Sequence, residues 1–226
     1  MITGASRGLG AALAERFAAE AAHLILVART TGGLEEVDDR VRAKGGQATL
    51  VPFDLRDGAA IDRLGGVLAE RYGRLDVLIG NAAELGVLSP AGHIDPKVYE
   101  RVMAINAGAN HRLIRSLDPL LRAADAGRAI FVTCAQARAN RPFWGVYAAS
   151  KAALEAFALT YAAETRRSRV RVNLVDPGPM RSRLRTQAYP GEPADKMPLP
   201  ETRTEVFIEL ADPDCQRHGE LITPGD

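Results

Sequence analysis

Residues 3–10, TGASRGLG, set three glycines between a short apolar pair and an alanine-rich stretch. No other stretch narrows the folds open to this chain as much. Glycine permits a tight strand-to-helix turn and a close approach of backbone to an anion, and the helix that follows aims unpaired N–H groups at that anion. The spacing Gly4-x-x-x-Gly8-x-Gly10 is a variant of the dinucleotide fingerprint, and it opens the first strand–helix–strand unit, where that fingerprint belongs.

The rest of the chain keeps the alternation going. A continuous apolar run, as expected of a strand buried on both faces, occurs at 24–27, and further strands are expected at 48–53, 75–79, 129–133, 170–175 and 220–222. Helical patterns lie between them: from the glycine turn to about residue 21, and at 34–44, 61–72, 96–124 with a bend near Pro119, 147–167 and 202–210. Alternating strands and helices predict an α/β fold, a Rossmann-like doubly wound parallel sheet of about seven strands with helices on both faces. One domain over 1–226 accommodates all of it, with the Pro/Gly-rich segment 177–200 as a lid within it. The first strand, ending at Ile2-Thr3, is short beside the usual length of about five residues, which predicts that residues before Met1 are missing from this sequence. Ligands of such sheets lie beyond the carboxyl ends of the strands, so Thr3, Arg29, Asp54, Asn81, Cys134 and Pro177 are expected to rim one crevice.

Charge and composition exclude several classes of function. A formal net charge of +1 offers no field for nucleic acid or an anionic membrane surface, and no apolar run approaches the roughly 20 residues of a membrane helix. Cys134 and Cys215 make neither a disulfide framework nor a metal spacing, and His23, His93, His111 and His218 form no ligand set, so no metal is expected. A reducing cytoplasm is the expected location.

The second strand ends at Arg29, 19 residues after Gly10, where an acid would hold a ribose 2′-hydroxyl and an arginine accommodates a 2′-phosphate. Arg29, with Arg7 across the turn, therefore favours NADP(H) over NAD(H), because guanidinium matches phosphate bidentately. A rival reading takes Gly4-Ala5-Ser6-Arg7-Gly8 as a nucleophile elbow, with Ser6, Asp212 or Asp214, and His218 in hydrolase order. It leaves Gly10 and Arg29 unexplained, and almost nothing upstream could supply the strand that feeds an oxyanion hole.

Tyr147 and Lys151 are four residues apart, so on a helix they share a face. An ammonium beside a phenol favours the phenolate and suits acid/base work. Together with the glycine turn, Asp54-Leu55, GNAA (80–83), Asn106, YAASK (147–151) and DPGPMRS (176–182), this pair makes the chain resemble the short-chain dehydrogenase/reductase family, classical type, over essentially its whole length. The resemblance implies hydride transfer between a nicotinamide and a carbonyl or secondary alcohol. Tyr147 would be the general acid/base, Lys151 would lower its pKa and bind the nicotinamide ribose, and Asn106 would hold a water in the proton relay. Gly4, Ser6, Arg7, Gly8, Leu9 and Gly10 would hold the pyrophosphate end. Asp54 and Leu55 would meet the adenine, and Asn81, Ala82 and Ala83 the adenosine ribose. Pro177, Gly178, Met180 and Ser182 would cover the nicotinamide. A homodimer or homotetramer built on the two long helices is implied as well.

GNAA departs from the commoner NNAG of the family, and Ser182 stands where threonine is frequent, but a third departure matters more. The serine expected thirteen residues before the tyrosine is Cys134, and a thiol is a weak hydrogen-bond donor. Cys134 fits a tolerated polariser in an active reductase, a slow or specialised enzyme, or a nucleotide-binding protein that no longer turns over. Gln136 and Trp144 are the expected substrate contacts. The substrate wall is expected from 135–146, 84–89 and 179–200, around a small to medium apolar carbonyl or alcohol. Trp144 is equally compatible with anchoring its helix.

Overall fold

The computed structural model describes residues 1–224, so the last two positions of the domain expected over 1–226 lie outside the described residues. Seven strands form one wholly parallel sheet: β1 (Ile2–Thr3), β2 (His23–Ala28), β3 (Gln47–Pro52), β4 (Val77–Gly80), β5 (Arg128–Val132), β6 (Arg171–Val175) and β7 (Leu221–Ile222). Their spatial order is β3-β2-β1-β4-β5-β6-β7, so the order reverses between β1 and β4 and the ligand crevice of a doubly wound sheet opens there. This is the Rossmann-like arrangement expected from the alternation.

Strand residues alternate between two cores with the period-two geometry of a strand. Ile25, Val27, Ala129, Phe131, Val172 and Leu174 face one side, packed beneath α3 (Gly58–Tyr72), α5 (Ala109–Ala123) and α7 (Gly145–Thr165). Leu24, Leu26, Ala28, Ile130, Val132 and Val175 face the other, beneath α1 (Gly8–Ala18), α2 (Thr31–Ala43) and α9 (Glu205–Ala211). Each fully buried leucine or isoleucine of these layers contributes about 1.5–3 kcal/mol of transfer free energy. Asn173 is the polar exception inside β6: its amide donates to the Arg217 carbonyl at 2.8 Å and accepts from Glu220 N–H at 3.1 Å, which fastens the approach to β7.

Three segments differ from expectation. The long helix over 96–124 is α4 (Pro96–Met103), a wide turn at Ala104–Gly108, and then α5. The irregularity sits at Asn106; Pro119 lies inside the uninterrupted α5. The loop after β5 contains a single short helix, α6 (Gln136–Ala139), and the segment 177–200 contains α8 (Arg183–Ala188), started by a Ser182 hydroxyl that accepts from Arg185 N–H at 3.1 Å. Both short helices were hidden among turn-forming residues. Among the described residues no helix is long and apolar enough to cross a membrane.

Candidate active site

The glycine turn is shaped by contacts on one side and by open space on the other. Gly4 and Gly8 have φ of 66° and 53°, conformations that favour glycine. A Cβ on Gly10 would lie 2.3 Å from the Gly4 carbonyl oxygen, so only glycine lets α1 start against the strand. A Cβ on Gly8 would meet nothing within 4 Å. No side chain caps the start of α1, whose N-cap is the exposed Arg7. An uncapped helix start with a clear approach over Gly8 fits a pyrophosphate, and the residues present therefore fit a dinucleotide. Leu9 points into the core beneath the turn, and Ser6 packs near Gly33 of α2.

Thr3 and Asn81 brace this turn from the switch point. The Thr3 hydroxyl accepts from the N–H groups of Asn81 and Ala82 at 3.0 and 3.1 Å. The Asn81 amide donates to the carbonyl of Thr3 at 2.8 Å and to that of Gly4 at 3.4 Å. The Asn81 side chain is thus turned toward the glycine turn, which corrects the expectation that it lines the ribose; Ala83 is exposed at the rim. Leu55 is buried in the core, so its side chain is not free to meet an adenine. Asp54 accepts from Arg56 through backbone N–H at 2.9 Å and guanidinium at 2.6 and 2.9 Å, and this pairing holds its carboxyl below the usual range. Arg29 also lies within its field. Both Arg7 and Arg29 are exposed at the crevice.

At the carboxyl end of β5, Cys134 and Tyr147 meet. Their side chains share an apolar pocket with Leu85, Leu88, Trp144, Leu184, Ala188 and Tyr189. Burial pushes the Cys134 thiol up, with Lys151 opposing, and burial followed by Cys134 pushes the Tyr147 phenol well above its ordinary value. In this arrangement burial, and not the Lys151 ammonium expected to lower it, governs the Tyr147 phenol. Lys151 is fully enclosed, donates to the Val132 carbonyl at 2.8 Å, and is lowered by burial from 10.5 to about 8, with Cys134, Glu155 and Asp176 acting against that fall. Thr133, beside Cys134, faces the opposite way and donates to Glu155 at 2.6 Å, as successive strand residues should.

Asn106 is completely buried in the wide turn between α4 and α5. Its side-chain oxygen accepts from Glu84 N–H at 2.8 Å, and its amide donates to the Glu84 carbonyl and the Ser150 hydroxyl, both at 2.9 Å. Its backbone carbonyl accepts from the Asn110 amide at 2.8 Å. The bond to Ser150 braces α7, whose Ser150 hydroxyl donates to the Tyr147 carbonyl at 2.8 Å, while the bonds to Glu84 and Asn110 fix the loop after β4 and the start of α5.

The pocket is roofed by α8. Trp144, the N-cap of α7, lies edge-on to Tyr147 with centroids 5.9 Å apart, and 5.8 Å from Tyr189 beyond α8. Trp144 thus starts its helix while its ring lines the pocket that holds Tyr147. Gln187 donates to the Gly86 carbonyl at 2.8 Å and Arg141 to the Tyr189 hydroxyl at 3.2 Å, which ties the roof to both neighbouring loops. Ser182 serves as the cap of α8, and Gly178, with φ of 72°, faces open space beside the buried Pro177, while Met180 packs against the core. Gln136 is half-buried at the start of α6.

The hydrolase alternative fails on geometry. His218 accepts from Val172 N–H at 3.1 Å and its other nitrogen meets the Ala162 carbonyl at 2.8 Å. Val172 begins β6, three strand positions from β1 and at the opposite end from the turn that carries Ser6, a lateral gap of about 14 Å. Sequence reasoning placed Glu84, Arg138 and Tyr189 in the wall segments 84–89, 135–146 and 179–200 without singling them out, and it missed Glu155, whose signal is its place four residues beyond Lys151 on the same helical face.

The family model described as short chain dehydrogenase matches residues 1–193. An Escherichia coli protein called uncharacterized oxidoreductase YciK is 33% identical over 220 residues, 96% of this chain and 87% of that protein. The structure of a short chain dehydrogenase of Pseudomonas syringae superposes with a TM-score of 0.95 at 33% identity, covering 98% of this chain and 92% of that one. An Escherichia coli short chain dehydrogenase solved in complex with NADPH gives a TM-score of 0.93 at 33% identity, over 98% and 94%.

Proposed function

The chain belongs to the short-chain dehydrogenase family, and from that premise we propose that it is an NADP(H)-dependent oxidoreductase acting on a carbonyl or secondary alcohol of a small to medium apolar substrate. The observation that carries the proposal is the meeting of Tyr147 and Cys134 in one apolar pocket, with the enclosed Lys151 one helical turn beyond Tyr147 and acting on Cys134, at the carboxyl end of the sheet that also bears the glycine turn. NADPH, when bound, supplies the hydride.

The residues of the chain do the rest. Tyr147, kept protonated by its burial, donates its proton to the substrate oxygen as charge develops there. Lys151, one helical turn away, is the cation that stabilises the phenolate left behind. Cys134 offers its thiol to the same oxygen as a weak donor. Asn106 acts as a brace for α7 rather than as a relay. Gly4, Gly8 and Gly10 with the start of α1 bind the pyrophosphate, and Arg7 and Arg29 take the 2′-phosphate, a reading supported by the NADPH complex of the Escherichia coli neighbour. Leu85, Leu88, Trp144 and Tyr189 exclude water around the substrate.

The same reading has the enzyme working in the cytoplasm as a homodimer or homotetramer. The exposed aromatic Phe157 of α7, stacked 5.2 Å from His111 of α5, supports a contact through those two long helices. Titration with NADPH and NADH, followed by a carbonyl panel on the wild type, Cys134→Ser and Tyr147→Phe, tests the function. Turnover by the wild type that Tyr147→Phe abolishes is expected. An inactive wild type that still binds NADPH, with activity only in Cys134→Ser, would replace this reading by a nucleotide-binding protein without turnover.

A further inference from the structure

Beneath the Tyr147–Lys151 pair lies a group of charges that the reaction just described does not use. Glu155 of α7 and Asp176 at the end of β6 are both buried. The Arg138 guanidinium, from α6, donates to Glu155 and lies 3.6 Å from Asp176. Thr133 gives Glu155 a second hydrogen bond, and Asp176 accepts from Gly178 N–H at 3.1 Å. One arginine therefore ties together the loop that carries Cys134, the helix that carries Tyr147 and Lys151, and the turn at Pro177-Gly178. Glu155 also lies one helical turn beyond Lys151 on α7, and both carboxylates act on its ammonium, so with Arg138 the group is neutral only while Lys151 is charged.

Charges are seldom buried so completely without a task, because burying them costs several kcal/mol each before pairing. We propose that Glu155 and Asp176 are positioning residues that keep Lys151 charged and aligned beside Tyr147, and that Arg138 sets their strength by sharing the same two carboxylates. The proposal rests on the assignment of Lys151 to the reaction. The groups that act on Lys151 are Cys134 from the loop after β5, Glu155 from α7 itself and Asp176 just beyond β6, with Tyr147 one turn before it on α7 and Arg138 of α6 paired to both carboxylates. The 104–108 segment presents only the neutral Asn106 toward α7. Removing one carboxylate leaves a buried ammonium under-compensated; removing the arginine leaves two carboxylates acting on it alone.

Opposite signs make the idea testable. The chain has four lysines, so protein labelled with ¹³C at lysine Cε gives few signals, and Lys151 is the one lost in Lys151→Met. In the protein without cofactor, Glu155→Gln and Asp176→Asn should each move the Lys151 titration to lower pH by about one unit. Arg138→Gln should move it to higher pH. The alkaline limb of kcat/KM for an accepted carbonyl should follow in the same directions. Glu155→Gln keeps an oxygen for Thr133 and Arg138, and Arg138 is partly exposed, so a folded variant carries the test on either side. A Lys151 titration that stays in place, or that moves the same way in all three variants, overturns the proposal. Shifts as stated in a protein that reduces no carbonyl would uphold the charge group and count against the oxidoreductase reading instead.

Discussion

The Cys134 thiol and the Tyr147 phenol share one apolar pocket at the carboxyl end of β5, and burial pushes both toward their neutral forms. In the proposed reaction the thiol is the second donor to the substrate oxygen, and it gives that oxygen a weak bond. Oxyanion donors of full strength contribute about 10²–10³ in rate. Cys134→Ser should therefore raise kcat for carbonyl reduction by about tenfold or more, with KM little changed. Tyr147→Phe should lower kcat by about 10²–10⁴, the range of a general acid. Steady-state kinetics with NADPH on one ketone checks both, and a serine variant no faster than wild type would mean the thiol is not the limiting donor.

Lys151 titrates near pH 8 in the fold against 10.5 when free. Its folded value is depressed, so between about pH 8 and 10.5 the unfolded chain binds the extra proton, and the Lys151 contribution to stability rises with pH across that window. Below pH 8 the fold carries the whole cost of a buried ammonium, about 3 kcal/mol from the size of the shift. Lys151→Met should be more stable than wild type at pH 7 and should lose that advantage by pH 10.5, as read from urea denaturation at both pH values. The same titration predicts that kcat/KM falls above pH 8, since the neutral amine cannot support a phenolate. A stability difference independent of pH would contradict the assignment.

Arg29 follows β2 and is exposed at the crevice beside Asp54, which is itself paired to Arg56. With that acid occupied, the free phosphate-matching group at the adenosine end is Arg29, assisted by Arg7. Arg29→Ala should weaken NADPH binding by about tenfold and leave NADH within about twofold, since one charge-assisted contact is worth roughly 1.5–3 kcal/mol. Fluorescence titration of both nucleotides measures the ratio. Tighter binding of NADH than NADPH by the wild type would reverse the cofactor preference.

The sheet was legible because strand and helix patterns alternate, and the turn because three glycines between a strand and a helix match the dinucleotide fingerprint. Pairing across the fold was not legible. Asn81 reads as a ribose contact until Thr3 and Gly4 are found to occupy its amide, and Leu55 reads as a nucleotide contact until its side chain is found in the core. Asn106 looks like a helix-surface polar group, yet the wide turn at 104–108 carries it inside; nothing in the local propensity of AINAG signals that turn, which tertiary bonds to Glu84 and Ser150 hold in place. Arg138, Glu155 and Asp176 are distant in sequence, and the helix α6 that joins them is four residues long, below what periodicity detects.

Gly8 and Gly10 should separate folding from binding. A methyl group at position 10 would collide with the Gly4 carbonyl at 2.3 Å, and backbone cannot yield cheaply, so Gly10→Ala should cost roughly 1–3 kcal/mol and lower the melting temperature by several degrees. At Gly8 the space is clear, and alanine there bears only the left-handed conformation at φ 53°, about 1–2 kcal/mol. Its methyl group, however, would project from the turn toward the approach that the pyrophosphate takes. Gly8→Ala should therefore lose NADPH affinity by more than its stability loss accounts for, whereas in Gly10→Ala instability should dominate. Calorimetric melting beside NADPH titration of the two variants gives the comparison. Equal affinity losses in both would indicate that the pyrophosphate does not lie over Gly8.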